Sequence, residues 1–313
     1  MSFKHIFIVG VGRSGTSLLQ SMLSSHSDVD FLPETSFIRR YWVTQKMTRL
    51  MRSGNLQKLA SLVRLDERLS RLSIDLESEL NFFAEKSDIE KLESVLYDRI
   101  CSHELKIKSN FVGDKDPKLI EYQPFISKNF KYSNIIHIIR DPRDVLLSKK
   151  NAEWSKHRHV WLHIFAWRVQ LELGFKYLND ANLSYFELRY ENLISSPEDT
   201  LSALCNFLGL SYQPAMLNFS TNNQRFVAAE EFSWKKEVLQ PLNQVNMNKW
   251  GNHLPDREIV LIEKFCSYQI NRYDYKKRRH FGTLSIKDKL WVLTGYLFLS
   301  CLLLPYKYLK KGS

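Results

Sequence analysis

His5-Ile6-Phe7-Ile8-Val9-Gly10-Val11-Gly12-Arg13-Ser14-Gly15-Thr16-Ser17-Leu18-Leu19 is the stretch that decides the fold. A short apolar, β-branched run passes into a glycine-rich turn and then into leucines at helical spacing. This strand–turn–helix order aims backbone N–H groups and the positive end of a helix at an anion. The GxxxxG spacing from Gly10 to Gly15 is that of a nucleoside-triphosphate loop, but Thr16 stands where that loop carries its lysine. The cation lies inside the loop instead, at Arg13, and Thr16 and Ser17 add hydroxyl donors. Gly12, Arg13, Ser14, Gly15, Thr16 and Ser17 are therefore the candidate cradle. The expected ligand is a phosphorylated nucleotide other than a triphosphate.

Working outward, the first helix reads on to His26, and Val29 to Leu32 forms a second short strand closed by Pro33-Glu34-Thr35. From about Ile38 to Lys108 apolar residues recur at helical spacing, which predicts a helical insertion over the active face with its many charges solvated. Phe111-Val112-Gly113 is a strand that leads into Asp114-Lys115-Asp116-Pro117. Asn134 to Ile139 is the near-continuous apolar run of a parallel strand buried on both faces, and ends at Arg140-Asp141-Pro142-Arg143-Asp144 before a helix from Val145 to Lys150. A long amphipathic helix follows over Val160–Leu178, then a strand over Leu183–Arg189, Tyr190-Glu191-Asn192-Leu193, and a helix over Pro197–Leu208. Alternating strands and helices predict an α/β fold with a central parallel sheet flanked by helices. Ligands in such sheets sit at the carboxyl ends of the strands. Arg13, Glu34, Lys115, Arg140 and Tyr190 all fall there.

The 313 residues suffice for one large core and an appended segment, and a net charge of +11 points to anionic partners. Cys101, Cys205, Cys266 and Cys301 are widely separated and match no metal-ligand spacing, so neither a metal nor a disulfide framework is expected. The first strand begins almost at once, without room for a signal peptide. These features predict a cytoplasmic setting.

The ordered motifs resemble the sulfotransferases that use 3′-phosphoadenosine 5′-phosphosulfate (PAPS), most closely the tyrosylprotein and Golgi-type carbohydrate branch. The resemblance is carried by Gly10–Ser17, Pro33-Glu34-Thr35, Asp114–Pro117, Arg140 to Ser148, Tyr190–Leu193, Pro241-Leu242-Asn243 and Asn248-Lys249-Trp250. It implies a sulfotransferase domain over residues 1–275, with the insertion at about 38–108. It implies that the Gly10–Ser17 loop takes the 5′-phosphosulfate, and that Arg140 and Ser148 hold the 3′-phosphate. It further implies Glu34 as general base and Lys115 as the cation at the leaving group. Arg13 would serve the sulfonate or 5′-phosphate oxygens, Tyr190 would flank the adenine, and Lys249 would reach the nucleotide from a late loop. Sulfuryl transfer needs a base, cations and in-line geometry rather than a metal.

Other readings accompany these. Glu34 could begin a helix, Lys115 could pair with Asp114 or Asp116, Arg140 with Asp141 or Asp144, and Tyr190 could be core. His137 reads as a packed histidine. Trp154, His157, Arg158, His159 and Trp161 form a basic aromatic cluster that could line an acceptor site or a surface loop.

Residues 276–313 depart from the resemblance. Leu290 to Leu304 is strongly apolar, ends at Pro305, and is bracketed by Lys276-Lys277-Arg278-Arg279, Lys287, Lys289, Lys307, Lys310 and Lys311. About fifteen helical residues reach roughly 22 Å, short of a hydrocarbon core of ~30 Å, so peripheral attachment to a cytoplasmic membrane face is expected. The acceptor hydroxyl would then belong to a carbohydrate or glycolipid, with no nucleic-acid partner. The rivals are a P-loop small-molecule kinase, disfavoured by the missing lysine, and a non-catalytic membrane-bound nucleotide sensor.

Overall fold

Along β1 (Lys4–Gly10), Ile6 and Ile8 turn to one side and Phe7 and Val9 to the other, and all four are fully buried. A strand clothed on both faces belongs in the middle of a sheet. β1 pairs in parallel with β3 (Phe111–Lys115) on one flank and β4 (Asn134–Ile139) on the other. β2 (Val29–Phe31) and β5 (Ser184–Arg189) form the edges, giving the order β2-β3-β1-β4-β5 with every pairing parallel. The computed structural model describes residues 4–86, 89–105, 109–221, 240, 242, 247–277 and 281–309. Of the sequence expectations, Pro241, Asn243, Arg278, Arg279, Lys310 and Lys311 lie outside the described residues.

One face of the sheet packs Ile6, Ile8, Ile136 and Ile138 against helices Thr16–Ser24 and Pro197–Leu208. The other packs Phe7, Val9, Val112 and Ile135 against the insertion, which contains helices Lys46–Arg52, Leu56–Leu65, Leu76–Lys86 and Leu92–Glu104. A third cluster joins helices Pro142–Lys150, Val160–Gly174 and Asp256–Phe265.

Three elements differ from the sequence reading. The helix expected from Val145 begins at Pro142, because Asp141 caps it by accepting from the Arg143 amide at 2.9 Å and proline suits a first helical position. The helix expected to reach Leu178 ends at Gly174 and tightens into a 3-10 turn. A Cβ on Gly174 would lie 2.6 Å from the His137 ring, so helix and sheet meet at that residue. The terminal helix runs from Ile286 to Leu309, with Pro305 inside it rather than ending it. It starts four residues early because Ser285 and Asp288 cap it reciprocally: the Asp288 amide donates to Ser285 Oγ, which donates to Asp288 Oδ2. Its 24 residues span about 36 Å, and Ile286–Pro305 is long and apolar enough to cross a membrane.

Candidate active site

Five parallel strands end on one edge, and the candidate residues follow them there. Read along the sheet order, that edge carries Glu34 after β2, Lys115 at the end of β3, the Gly10–Gly15 turn after β1, Arg140 after β4 and Tyr190 after β5. The connections reverse direction around β1, which places the ligand crevice at its carboxyl end.

The cradle is shaped by two glycines. A Cβ on Gly10 would lie 2.6 Å from the Ile138 carbonyl oxygen, and one on Gly15, where φ is +94°, would lie 2.4 Å from the Tyr190 ring. Between them Arg13 is held at φ 79°, in the left-handed region that costs a non-glycine residue ~1–2 kcal/mol. Helix Thr16–Ser24 starts directly behind Gly15, so the first helical amides face the turn. Ser14 is fully buried, and its hydroxyl finds no partner among the described residues. An orphaned hydroxyl inside a glycine-shaped turn, with helical amides and Arg13 around it, fits an oxyanion such as a phosphate.

Arg13 Nε donates to Ser148 Oγ at 2.9 Å, tying the cradle to helix Pro142–Lys150. Arg140 is 7% exposed, donates from Nη1 to the Arg13 carbonyl at 3.0 Å, and lies over the Tyr190 ring at 4.3 Å. Arg13, Arg140 and Ser148 thus form one contiguous cluster. Tyr190 is buried with its ring between Gly15 and the Arg140 guanidinium, so it supports the cradle from behind. Asp141 is occupied by Arg143, which also reaches Glu263 and stacks over Trp250 at 3.7 Å.

Lys115 Nζ donates to Glu34 Oε2, a pairing of a fully enclosed ammonium with a more accessible carboxylate. Glu34 begins no helix, and Asp116 is taken by Arg39 at 2.8 Å. Asp114, buried behind the pair, has its carboxyl pushed up to about 7 by burial and by the charge of Asp116.

Lys249 follows a loop that helix Pro142–Lys150 holds. Asp144 accepts from the Asn248 amide at 2.8 Å and the Trp250 amide at 3.1 Å, which brings Lys249 alongside the helix of Ser148. Sequence reasoning offered Asp144 only as an alternative ion-pair partner of Arg140, since a carboxylate at the first turn of a helix has an ordinary explanation in the helix dipole and nothing local marks it as the holder of a loop 104 residues away. It also took the charges of the insertion as solvated. Arg39 instead turns inward to Asp116, and Arg71 Nη1 donates to the Glu34 carbonyl at 3.2 Å. Nothing in the local pattern distinguishes them from surface arginines. His137 is fully buried, 2.6 Å from the Tyr185 hydroxyl, and burial lowers its pKa to about 3. His159 caps helix Val160–Gly174, accepting at Nδ1 from the Trp161 amide, while Trp154 is exposed.

The sulfotransferase-family profile matches residues 5–214, which span the sheet and every strand-end residue just described. The chain belongs to the sulfotransferase family. This sulfotransferase is 26% identical over 273 residues to protein-tyrosine sulfotransferase 1 of Danio rerio, covering 82% of this chain and 69% of that protein. It is 23% identical over 259 residues to protein-tyrosine sulfotransferase 2 of Gallus gallus, covering 80% of this chain and 64% of that one. Among solved structures, the sulfotransferase domain from the curacin biosynthetic pathway superposes with a TM-score of 0.60 at 18% identity, covering 88% of this chain and 99% of that domain. A mouse sulfotransferase complexed with PAP superposes with a TM-score of 0.50 at 13% identity, covering 88% of this chain and 86% of that one. These likenesses establish the fold, and the family makes the protein a sulfotransferase enzyme.

Proposed function

We propose that this sulfotransferase moves the sulfuryl group of PAPS to an acceptor hydroxyl, with the donor lying across the cradle and the acceptor entering at the Glu34–Lys115 pair. The observation that carries the reading is the cluster of Arg13, Arg140 and Ser148 beside a turn whose buried Ser14 hydroxyl is orphaned. PAPS supplies an activated sulfuryl group on a phosphate that leaves readily. Ser14, Thr16, Ser17 and the amides from Gly12 to Ser17 hold its 5′ end. Arg140 and Ser148 hold the 3′-phosphate, and Lys249 approaches from its loop. Arg13 and Lys115 neutralise charge on the sulfonate and the departing oxygen. Glu34 accepts the acceptor proton as the new S–O bond forms, and the electron pair of the breaking S–O bond stays on the 5′-phosphate. Because Tyr190 is buried between Gly15 and the Arg140 guanidinium, it acts on the donor by shaping the cradle and backing Arg140 rather than by stacking on the adenine.

The acceptor we favour is a carbohydrate or glycolipid hydroxyl presented at a membrane. Leu290, Leu293, Leu297 and Leu304 are exposed along one side of the terminal helix, while Val292, Leu299 and Leu303 are buried against the body. Exposed Lys276, Lys277 and Lys287 flank this stripe and suit an anionic lipid surface at ~1 kcal/mol per cation. A protein tyrosine is the second acceptor, favoured by the named relatives.

Thermal unfolding with PAP (3′,5′-ADP), 5′-AMP, and ATP with and without magnesium tests the donor. Saturation near 100 times Kd adds ~2.7 kcal/mol, and the expected shift comes from PAP alone without magnesium. A shift from Mg-ATP only would refute PAPS in favour of a kinase. Flotation with vesicles containing phosphatidylglycerol tests attachment; protein left wholly at the bottom refutes it.

A further inference from the structure

Two helices of the insertion flank a cleft of about 790 Å³. Lys46, Arg49 and Leu50 lie at i, i+3 and i+4 on helix Lys46–Arg52, so they share one face. Lys58, Ser61, Leu62 and Leu65 repeat that spacing on helix Leu56–Leu65, whose Leu59 is buried in the core. These two faces line the cleft together with Arg40 and the Asp66-Glu67-Arg68 turn. Asp66 is spent within the wall, where it accepts from Arg40 Nη1 at 2.9 Å, from the Tyr41 hydroxyl and from the Arg68 amide. Glu67 is exposed. Arg49 Nη2 donates to the Thr44 carbonyl at 2.6 Å, and among the described residues no carboxylate pairs with Lys46, Arg49, Lys58 or Arg68.

The cleft has the size of a small-molecule site, ~300–1,000 Å³, and its chemistry is two-fold. Four cations without a carboxylate of their own set a positive field inside a hollow, which draws an anion. Leu65 is 81% exposed beside them, and Leu50 and Leu62 are half-buried, so the same hollow offers hydrocarbon surface. An inorganic anion would use only the cations, and an uncharged hydrocarbon only the leucines. A ligand with both parts uses the whole cleft. Hydrogen bonds fasten its wall to the turn that carries Glu34. Arg68 Nη1 donates to Ser36 Oγ at 3.2 Å, and Arg71, three residues on, donates from Nη1 to the Glu34 carbonyl at 3.2 Å. Ser36 stands two residues past Glu34, at most ~7 Å of chain, and its φ of 53° keeps that turn tight. The cleft therefore borders the transfer centre.

We propose that this cleft holds the non-reacting part of an anionic, amphiphilic acceptor, an acidic glycolipid. Its carboxylate or phosphate lies among Lys46, Arg49, Lys58 and Arg68, and its hydrocarbon segment follows Leu50, Leu62 and Leu65. Its hydroxyl reaches Glu34 past the Arg68–Ser36 contact. This rests on the reading of the Glu34–Lys115 pair as the transfer centre.

The test compares the full-length wild type with K46Q/K58Q and with L65S. All three side chains are exposed, so the substitutions leave the core intact. The probes are octyl glucuronide, octyl glucoside and methyl glucuronide, titrated by calorimetry with PAP present, and then offered as acceptors with PAPS. Octyl glucuronide should bind wild type at least tenfold more tightly than either of the others. K46Q/K58Q should reduce it to the level of octyl glucoside, and L65S should weaken it about threefold without affecting methyl glucuronide. In transfer, K46Q/K58Q should raise KM for octyl glucuronide by the factor lost in binding, with kcat and PAP affinity within twofold of wild type. Equal binding of the acid and the neutral glycoside in wild type, or a preference that survives K46Q/K58Q, overturns the proposal. A fall in kcat at unchanged KM overturns it too, as does loss of PAP affinity, which would give these lysines to the donor. Weaker flotation of K46Q/K58Q with phosphatidylglycerol vesicles, without any glucuronide preference, assigns this face to the membrane surface and overturns it. If wild type keeps the full binding preference yet transfers no sulfate to any of the three, the transfer-centre reading fails and the cleft stands.

Discussion

Gly15→Ala puts a methyl group where Tyr190 already stands. The backbone there has φ +94°, and the new Cβ would fall 2.4 Å from Cδ2 and 2.8 Å from Cε2 of the ring. Two costs follow from different causes. Holding alanine in the left-handed region costs ~1–2 kcal/mol, and forcing a carbon into packed space costs ~1–3 kcal/mol. Together they remove about 2–5 kcal/mol, which for a chain of this size lowers Tm by roughly 4–15 °C. The two parts separate in a double-mutant cycle with Tyr190→Leu, which withdraws the ring edge. Tyr190→Leu also removes the surface beneath the Arg140 guanidinium, 4.3 Å from the ring centroid, but that loss occurs in both halves of the cycle and cancels. In the leucine background only the backbone cost should remain. The coupling between the substitutions should therefore be about 1–3 kcal/mol, measured by urea unfolding of the four proteins. Additivity within ~0.5 kcal/mol would refute the claim that the ring shapes the cradle.

The strand-end residues make further predictions. Glu34→Gln should abolish turnover and leave PAP affinity within about twofold, checked by calorimetry beside a sulfate-transfer assay; normal turnover would remove Glu34 as the base. Arg140→Ala should weaken PAP far more than 5′-AMP, by ~1.5–3 kcal/mol for a charge-assisted contact, and equal losses would show that Arg140 does not read the 3′-phosphate. Asp114 titrates near 7 in the folded protein against an ordinary 3.8, so the native state holds a proton that the unfolded chain releases. Its stabilising contribution is therefore present below pH 3.8 and disappears as pH rises through 7. Between pH 5 and pH 8 this group should withdraw about 3 kcal/mol, and Asp114→Asn should flatten that dependence in urea melts; an unchanged slope would refute the assignment. Asp144→Ala should release the Asn248 and Trp250 amides and lower affinity for PAP through Lys249, with little change if that loop plays no part in binding.

The legibility of this protein was uneven for physical reasons. The buried strand at Asn134–Ile139 and the turn at Gly10–Gly15 announce themselves because periodicity and glycine placement are local properties of the chain. The parallel sheet followed, and with it the shared edge that gathers Glu34, Lys115, Arg13, Arg140 and Tyr190. Helix ends were less legible where a neighbour decided them. The helix that ends at Gly174 does so where it packs against His137 of the sheet, and Ser285 starts one through a capping pair that an apolar count overlooks. The pairing of Lys115 with Glu34 needed a partner 81 residues away.

The sequence by itself determined the α/β class, the glycine-rich turn after the first strand and the family, since each depends on residue types at short fixed spacings. Only the tertiary structure decided how those parts act on one another. It set Tyr190 behind Gly15, bound Arg13 to Ser148, and turned Arg39 and Arg71 inward. The reason is that burial and electrostatic pairing depend on distances through space, and residues far apart in the chain acquire those distances only when the sheet brings their strand ends together.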